Sequence, residues 1–357
     1  MGNRREFLRD ITFVGCAVAA ATADAAAPSA AGKHAPVVLR GRKVRTVDAH
    51  AHCIVPQAAA LLRQAANAPQ PRLLLQGQGL AERLRAMDAQ GIDMAVLSIN
   101  PNWYETEREL AAELIRIQNE TLAQFCASHP DRFAAFASVA LQFPELAAEQ
   151  LERAVKNQGL RGAAIGGSVT GQELADPKFH PFYAKAEELG AVVFIHPQNP
   201  TVASERLNGN GPLNGTVWYP FETTLALTHL IWEGTLDRFP GLKILAAHGG
   251  GYLGSYMHRQ DHGCTISPNQ CRPGVPKKPA SEYLKQLYFD SLVFTPEALR
   301  HLAAEVGAER IVVGTDYPFP WVTEPIDHVL RTPGLDDAQK RAILGETATR
   351  LLGLKTA

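Results

Sequence analysis

The sequence predicts an α/β protein built as one (β/α)8 TIM barrel. Three observations carry that expectation. Short apolar, β-branched runs alternate with helical stretches, and eight such runs can be found along the chain. Four of them end in residues of metal-ligand type: Val47-Asp48-Ala49-His50-Ala51-His52, Val192-Val193-Phe194-Ile195-His196-Pro197, Ile244-Leu245-Ala246-Ala247-His248-Gly249 and Ile311-Val312-Val313-Gly314-Thr315-Asp316. The chain has 357 residues, 46% hydrophobic and 20% charged. That is enough for one barrel of roughly 250–300 residues. In such a barrel the strand C-termini converge on one face, where chemistry sits. A doubly wound sheet is the runner-up, disfavoured because endings at strands one, five, six and eight meet naturally only when the sheet closes.

The elements follow in order. Arg45–His50 is the first strand. After a loop to Gln76 comes an amphipathic helix with Leu80, Leu84 and Met87 on one face, closed by Gly91. Met94–Ile99 is the second strand, and Glu107–Ser128 a helix with Leu110, Leu114, Ile117 and Leu122 on its apolar stripe. Phe133–Val139 is the third strand, Pro144–Asn157 a helix, Gly162–Gly166 the fourth strand, and Phe182–Leu189 a helix ended by Gly190. Val192–His196 is the fifth strand and Phe221–Phe239 a long helix. Lys243–His248 and Leu287–Ser291 are the sixth and seventh strands, separated by a Pro-rich excursion over 265–280. Pro296–Val306 is helical, Arg310–Asp316 is the eighth strand, and a helix over 337–353 closes the chain. No internal repeat is found.

The net charge is −1, so no basic face is implied and nucleic acid is not an expected partner. Past the first 30 residues no apolar run is long enough to span a bilayer. The N-terminus reads as a twin-arginine export signal: Arg4-Arg5, then Phe7-Leu8, an apolar stretch from Ile11 to Ala21, and the small-x-small site Ala23-Asp24-Ala25. The expected organisation is a signal over 1–25, an Ala/Pro/Ser-rich linker over 26–40, and the barrel over 41–357. The expected location is periplasmic or secreted, with no membrane contact beyond export. The five cysteines make no metal-finger pattern. Export permits a disulfide between Cys264 and Cys271, but spacing does not fix connectivity, and two loop thiols are the simpler expectation.

His50-x-His52 in an extended strand places two imidazoles on one face. His196 and Asp316 at two further strand ends complete a set of three imidazoles and one carboxylate. That set suits one divalent ion, Zn²⁺ before Mn²⁺, Fe²⁺ or Co²⁺, with a position left for water. The alternative for each residue alone is bland: a packed core histidine, or a turn-initiating Asp before Tyr317-Pro318. His248, followed by Gly249-Gly250-Gly251, reads as a proton-transfer group beside the metal rather than a ligand. The fourth strand ends Ala163-Ala164-Ile165-Gly166-Gly167 and offers no lysine to bridge a second ion.

These stretches, with Gly314-Thr315-Asp316-Tyr317-Pro318-Phe319-Pro320, resemble the amidohydrolase-related superfamily. Within it they resemble the branch of 2-amino-3-carboxymuconate 6-semialdehyde decarboxylase. The resemblance runs from about residue 45 to 353 and includes Met87-Asp88-Ala89-Gln90-Gly91-Ile92-Asp93, Glu222-Thr223-Thr224 and Tyr288-Phe289-Asp290-Ser291. It implies metal ligands at His50, His52, His196 and Asp316 and a catalytic histidine at His248. It also implies substrate-carboxylate arginines at Arg72 and Arg259, the second supplied by a partner subunit in a homodimer. The chain departs from that decarboxylase in carrying Gln198-Asn199 where the family has an aromatic residue, and in its export signal. The expected activity is metal-dependent, non-oxidative decarboxylation of an unsaturated or aromatic carboxylic acid. The alternatives are a hydrolase of a lactone, ester or amide using the same metal-bound water, and a non-catalytic metal-binding scaffold.

Overall fold

Eight parallel strands follow one another round a closed ring in the computed structural model, which describes residues 34–66, 78–198, 200–207, 212–271 and 275–355. They are β1 (Val47–His52), β2 (Met94–Ser98), β3 (Phe133–Ala135), β4 (Gly162–Ile165), β5 (Val192–Ile195), β6 (Lys243–Ala246), β7 (Leu287–Asp290) and β8 (Ile311–Val312). Neighbours in sequence are neighbours in space, and every pair is parallel. Isolated bridges close the ring: Asp48 with Val313 and Ala51 with Tyr317 join β8 to β1, and Ala137 with Ala163 joins β3 to β4. The expected (β/α)8 barrel is thus the observed fold.

Alternation along the strands sorts side chains into two layers. In β5, Val192 and Phe194 point into the barrel, while Val193 and Ile195 pack against the surrounding helices. The interior is filled by Val47, Ala49, Val96, Phe136, Phe194, Leu245 and Val312, so it is a packed core rather than a pore. Phe136 and Phe194 stack at 5.4 Å between ring centroids. Burying rings of this size stabilises the fold by about 2–3 kcal/mol each.

Most helices come where the apolar spacing places them, but Pro56–Ala66 is helical where a loop to Gln76 is expected, and Leu253–Ile266 is helical where no helix is expected. α1 (Pro56–Ala66), α2 (Gln78–Ala89), α3 (Arg108–Ser128), α4 (Pro144–Gln158), α5 (His180–Glu188), α6 (Tyr219–Trp232), α7 (Leu253–Ile266) and α8 (Pro296–Val306) punctuate the strands. None among the described residues is long and apolar enough to cross a membrane.

Four further expectations are corrected. The linker expected over 26–40 ends early, because Val37–Leu39 pairs antiparallel with Arg42–Val44 across a turn at Arg40-Gly41. The long helix expected over 221–239 is broken at Gly234, which takes φ +80, and a short turn Thr235–Arg238 follows. The closing helix over 337–353 is interrupted by a π-helical turn at Ala342–Glu346. There Gly345 lies so close to the Arg45 carbonyl that a Cβ would sit 1.9 Å from its oxygen. Cys271 is disulfide-bonded rather than a free thiol, whereas Cys53 and Cys126 are free. Residues 1–25, where the export signal is expected, lie outside the described residues.

Candidate metal centre

β1 begins by sending Val47 and Ala49 inward, which by strict alternation would aim His50 and His52 outward. The register against β2 shifts between Asp48 and Ala51, and this irregularity re-aims the end of the strand. The His50 ring then meets inward-facing Phe194 at 5.0 Å and His196 at 4.9 Å. His196 follows Phe194 by two residues and stays on the inner face. His248 and Asp316 reach the same place by another route. Both adopt left-handed backbone, φ +57 and +59, which side-chain-bearing residues avoid and which recurs at functional sites.

The ligand atoms of His50, His52, His196 and Asp316 all lie within 4.8 Å of one another, and all four residues are buried. Asp316 Oδ1 stands 2.8 Å from His52 Nε2, 3.3 Å from His50 Nε2 and 3.8 Å from His196 Nε2. Four donors placed ~2.1 Å from a tetrahedral ion are themselves about 3.4 Å apart, so the cluster has the right size. Both ring nitrogens of His196 are buried without a hydrogen-bond partner among the described residues. Buried polar atoms normally find partners, so this imidazole is consistent with a ligand waiting for a cation.

Neighbours fix which nitrogen His50 and His52 offer. His50 Nδ1 is 2.6 Å from Asp290 Oδ2, and its Nε2 points to the cluster. His52 Nδ1 is 3.0 Å from Ser98 Oγ, whose own proton is directed to the Ala51 carbonyl at 3.3 Å. Each arrangement places a ring proton on Nδ1 and turns Nε2 toward the cluster, where a cation would displace any second proton. Burial opposes a charged His50, but Asp316 and Asp290 outweigh it and lift its pKa to about 10. A site that holds a proton so firmly is equally inviting to a cation that displaces it. Burial lowers His52, and drives His196 well below its ordinary value, so both stay neutral as ligands must. Asp316 is held well below the carboxylate range: burial resists its charge, and His50, His248 and His52 overcome it.

A second layer steadies this set. Asp290 is fully buried and also accepts the backbone N–H groups of His248, Gly249 and Leu292 at 2.8, 2.8 and 3.0 Å. Asp48 ties β1 to β8: it accepts from the N–H of His50 at 3.0 Å, and from the N–H and hydroxyl of Thr315 at 3.1 and 2.6 Å. Burial raises its pKa to about 6. His248 Nε2 lies 3.5 Å from Asp316 Oδ2, outside the four-residue set and beside it. The turn after it cannot be built from larger residues, since a Cβ on Gly251 would stand 2.0 Å from the Pro220 oxygen.

The two expected arginines fare differently. Arg72 lies outside the described residues. Arg259 sits exposed on α7 and lines a surface cavity of about 630 Å³ with Trp232, His262, Ile266 and Cys271. The sequence reading passed over Arg83. It is buried on α2, donates to the His52 carbonyl, and lies 4.6 Å over the Tyr317 ring. No carboxylate pairs with it among the described residues, and its Nε has no partner there.

The sequence pattern of the family described as amidohydrolase matches residues 47–354. The chain belongs to that family. It lies on the branch of 2-amino-3-carboxymuconate-6-semialdehyde decarboxylase, whose Dictyostelium discoideum member is 34% identical over 76% of this chain and 76% of its own. The gamma-resorcylate decarboxylase of Rhizobium sp. is 32% identical, covering 77% of this chain and 87% of its own. Among solved structures, 5-carboxyvanillate decarboxylase from Sphingomonas paucimobilis matches with TM-score 0.78 and 26% identity, over 88% of this chain and all of that one. A dihydroxybenzoic acid decarboxylase from Polaromonas, with bound manganese and the inhibitor 2-nitroresorcinol, matches with TM-score 0.71 and 27% identity, over 88% and 98%. These are carboxy-lyases, and among its described residues this amidohydrolase-family chain brings one divalent-metal site together at His50, His52, His196 and Asp316.

Proposed function

We propose that this chain is a metal-dependent, non-oxidative decarboxylase of an aromatic or unsaturated carboxylic acid. The observation that carries the reading is the convergence of His50, His52, His196 and Asp316 on one point with His248 beside it. Three imidazoles and one carboxylate favour Zn²⁺, and Mn²⁺ is the ion held by the Polaromonas relative. When bound, a divalent ion supplies a fixed positive charge that stabilises negative charge developing on the substrate.

The remaining work falls to the chain's own side chains. Loss of CO₂ breaks a carbon–carbon bond and leaves its electron pair on carbon, which must then take a proton. His248 presents Nε2 on the side of the cluster, and that is the atom placed to hold and move this proton. Arg83 is a buried cation that no carboxylate pairs with among the described residues, a costly arrangement unless an anion arrives. A substrate carboxylate meets that need, and a guanidinium binds carboxylates by paired hydrogen bonds. Arg259 is proposed to act from a second copy of the chain in a homodimer, since it is exposed and pairs with nothing among the described residues. Residues 1–25 are proposed to direct export to the periplasm, and a natively located protein with intact mass beginning at Met1 or Gly2 would refute this.

The test of the activity is direct. Metal-loaded protein is offered 2,6-dihydroxybenzoate, 5-carboxyvanillate, a carboxymuconate semialdehyde and a panel of lactones, and CO₂ release is followed. Release from at least one acid is expected. Lactone hydrolysis with no CO₂ from any acid would overturn the proposal.

A further inference from the structure

Tyr219 opens α6 immediately after a π-helical turn at Asn214–Trp218. Its ring meets that of His196 edge-on, with centroids 6.5 Å apart and planes at 77°. Burial first, and the Asp316 charge second, raise the pKa of its phenol. The ring is only partly buried, and its hydroxyl has no hydrogen-bond partner among the described residues. Phe319 faces His52 at 6.0 Å and Phe194 faces His50 at 5.0 Å, so further aromatic rings border the cluster.

The position of Tyr219 is fixed from several directions. The Trp218 indole donates to the Val202 carbonyl at 2.5 Å, and Thr223 Oγ1 donates to the Tyr219 carbonyl at 3.2 Å. Thr224 Oγ1 donates to the Pro220 carbonyl at 2.8 Å and accepts from the Tyr252 N–H at 2.7 Å. The helix start is thereby bonded to the glycine turn that carries His248, the same turn in which a Gly251 Cβ would strike Pro220. A phenol held this firmly, with its one donor unspent beside the reacting centre, is arranged to bind something else. An ordinary phenol is protonated at neutral pH, so what it offers is a hydrogen-bond donor.

We propose that Tyr219 is a specificity-determining residue whose hydroxyl donates a hydrogen bond to an oxygen substituent on the ring of an aromatic carboxylate bound at this centre. The inference rests on the decarboxylase reading and goes further, because it assigns a preference for ring-oxygenated acids to one side chain. A site built to pair with a substrate oxygen rejects the analogue lacking it, because its own polar group is then left unpaired.

The test is direct binding, read by titration calorimetry on metal-loaded protein, with metal content checked by mass spectrometry. The probes are benzoate and its 2-, 3- and 4-hydroxy derivatives. Wild type is expected to bind at least one hydroxybenzoate about tenfold more tightly than benzoate. Tyr219→Phe keeps the ring and removes only the oxygen, so it should bind benzoate as wild type does and lose that tenfold preference. If Tyr219→Phe retains the preference, or weakens benzoate and hydroxybenzoate equally, the inference fails while the decarboxylase reading stands. If wild type with full metal binds none of the four acids, the inference fails, while CO₂ release from the wider acid panel decides the reading beneath it.

Discussion

Asp290 accepts the Nδ1–H of His50 at 2.6 Å while the same carboxylate receives the backbone N–H groups of His248 and Gly249, both at 2.8 Å. One buried acid thus orients a metal-side imidazole and the turn that carries His248. Burial works against its charge, yet the His50 hydrogen bond and the neighbouring imidazoles and amides keep its pKa below the ordinary value.

Asp290→Asn should therefore weaken metal binding while the barrel still folds. Replacing an acid that orients a ligand histidine commonly costs 10–100-fold in affinity. Competition with a chromogenic chelator measures it, alongside circular dichroism to confirm the fold. An unchanged dissociation constant would remove Asp290 from its assigned role.

His248→Ala should keep the metal and lose activity by roughly 10²–10⁴-fold, the usual worth of a positioned proton-transfer group. Metal content and turnover are to be measured on the same preparation. Metal lost in proportion to activity would make His248 a ligand instead.

The shared-site proposal has a sharp test in mixed dimers. An Arg259→Ala subunit is combined with a His248→Ala subunit, each inactive alone. If Arg259 acts across the interface, one site of the hybrid carries both lesions and the other neither. The hybrid then regains up to about half of wild-type activity. An inactive hybrid that is dimeric and metal-loaded would show that Arg259 serves its own subunit.

Glu222 gives a pH-dependent prediction away from the metal cluster. It is buried, accepts from Ser168 Oγ at 2.7 Å, and its pKa is raised, by burial first. A carboxyl whose folded-state pKa is raised favours folding below its unfolded pKa and loses that contribution as pH climbs through the folded value. Glu222→Gln removes the ionisation, so its melting temperature should exceed that of wild type at pH 8 and match it near pH 4. Parallel melting curves across that range would refute the assignment.

The sequence made the metal ligands legible because each ends a buried run, and a histidine or aspartate there has few structural reasons to exist. His248 was legible through its glycines, which only a tight turn explains. Asp290 also ends a strand, but its role depends on a partner 240 residues away, and no local spacing announces that pairing. Arg83 did leave a signal. It lies on the same α2 stripe as Leu80 and Met87, where a basic residue is out of place. The irregularity in β1 was invisible for a simple reason: period-two alternation alone puts His50 and His52 together, and only the barrel shows that a register shift is required to turn them inward.

The seam between the first and last strands has a consequence for how the site comes into being. Asp48 grips Thr315 where β1 meets β8, so His50 and His52 meet Asp316 only after nearly the whole chain has been made. A bound ion would act as a clasp on this seam, closing a loop of more than two hundred residues whose entropic cost rises only slowly with length. Metal affinity is then a property of the finished barrel and not of any fragment. Removing the ion should first loosen the join between the chain's two ends, leaving the far wall of the barrel intact.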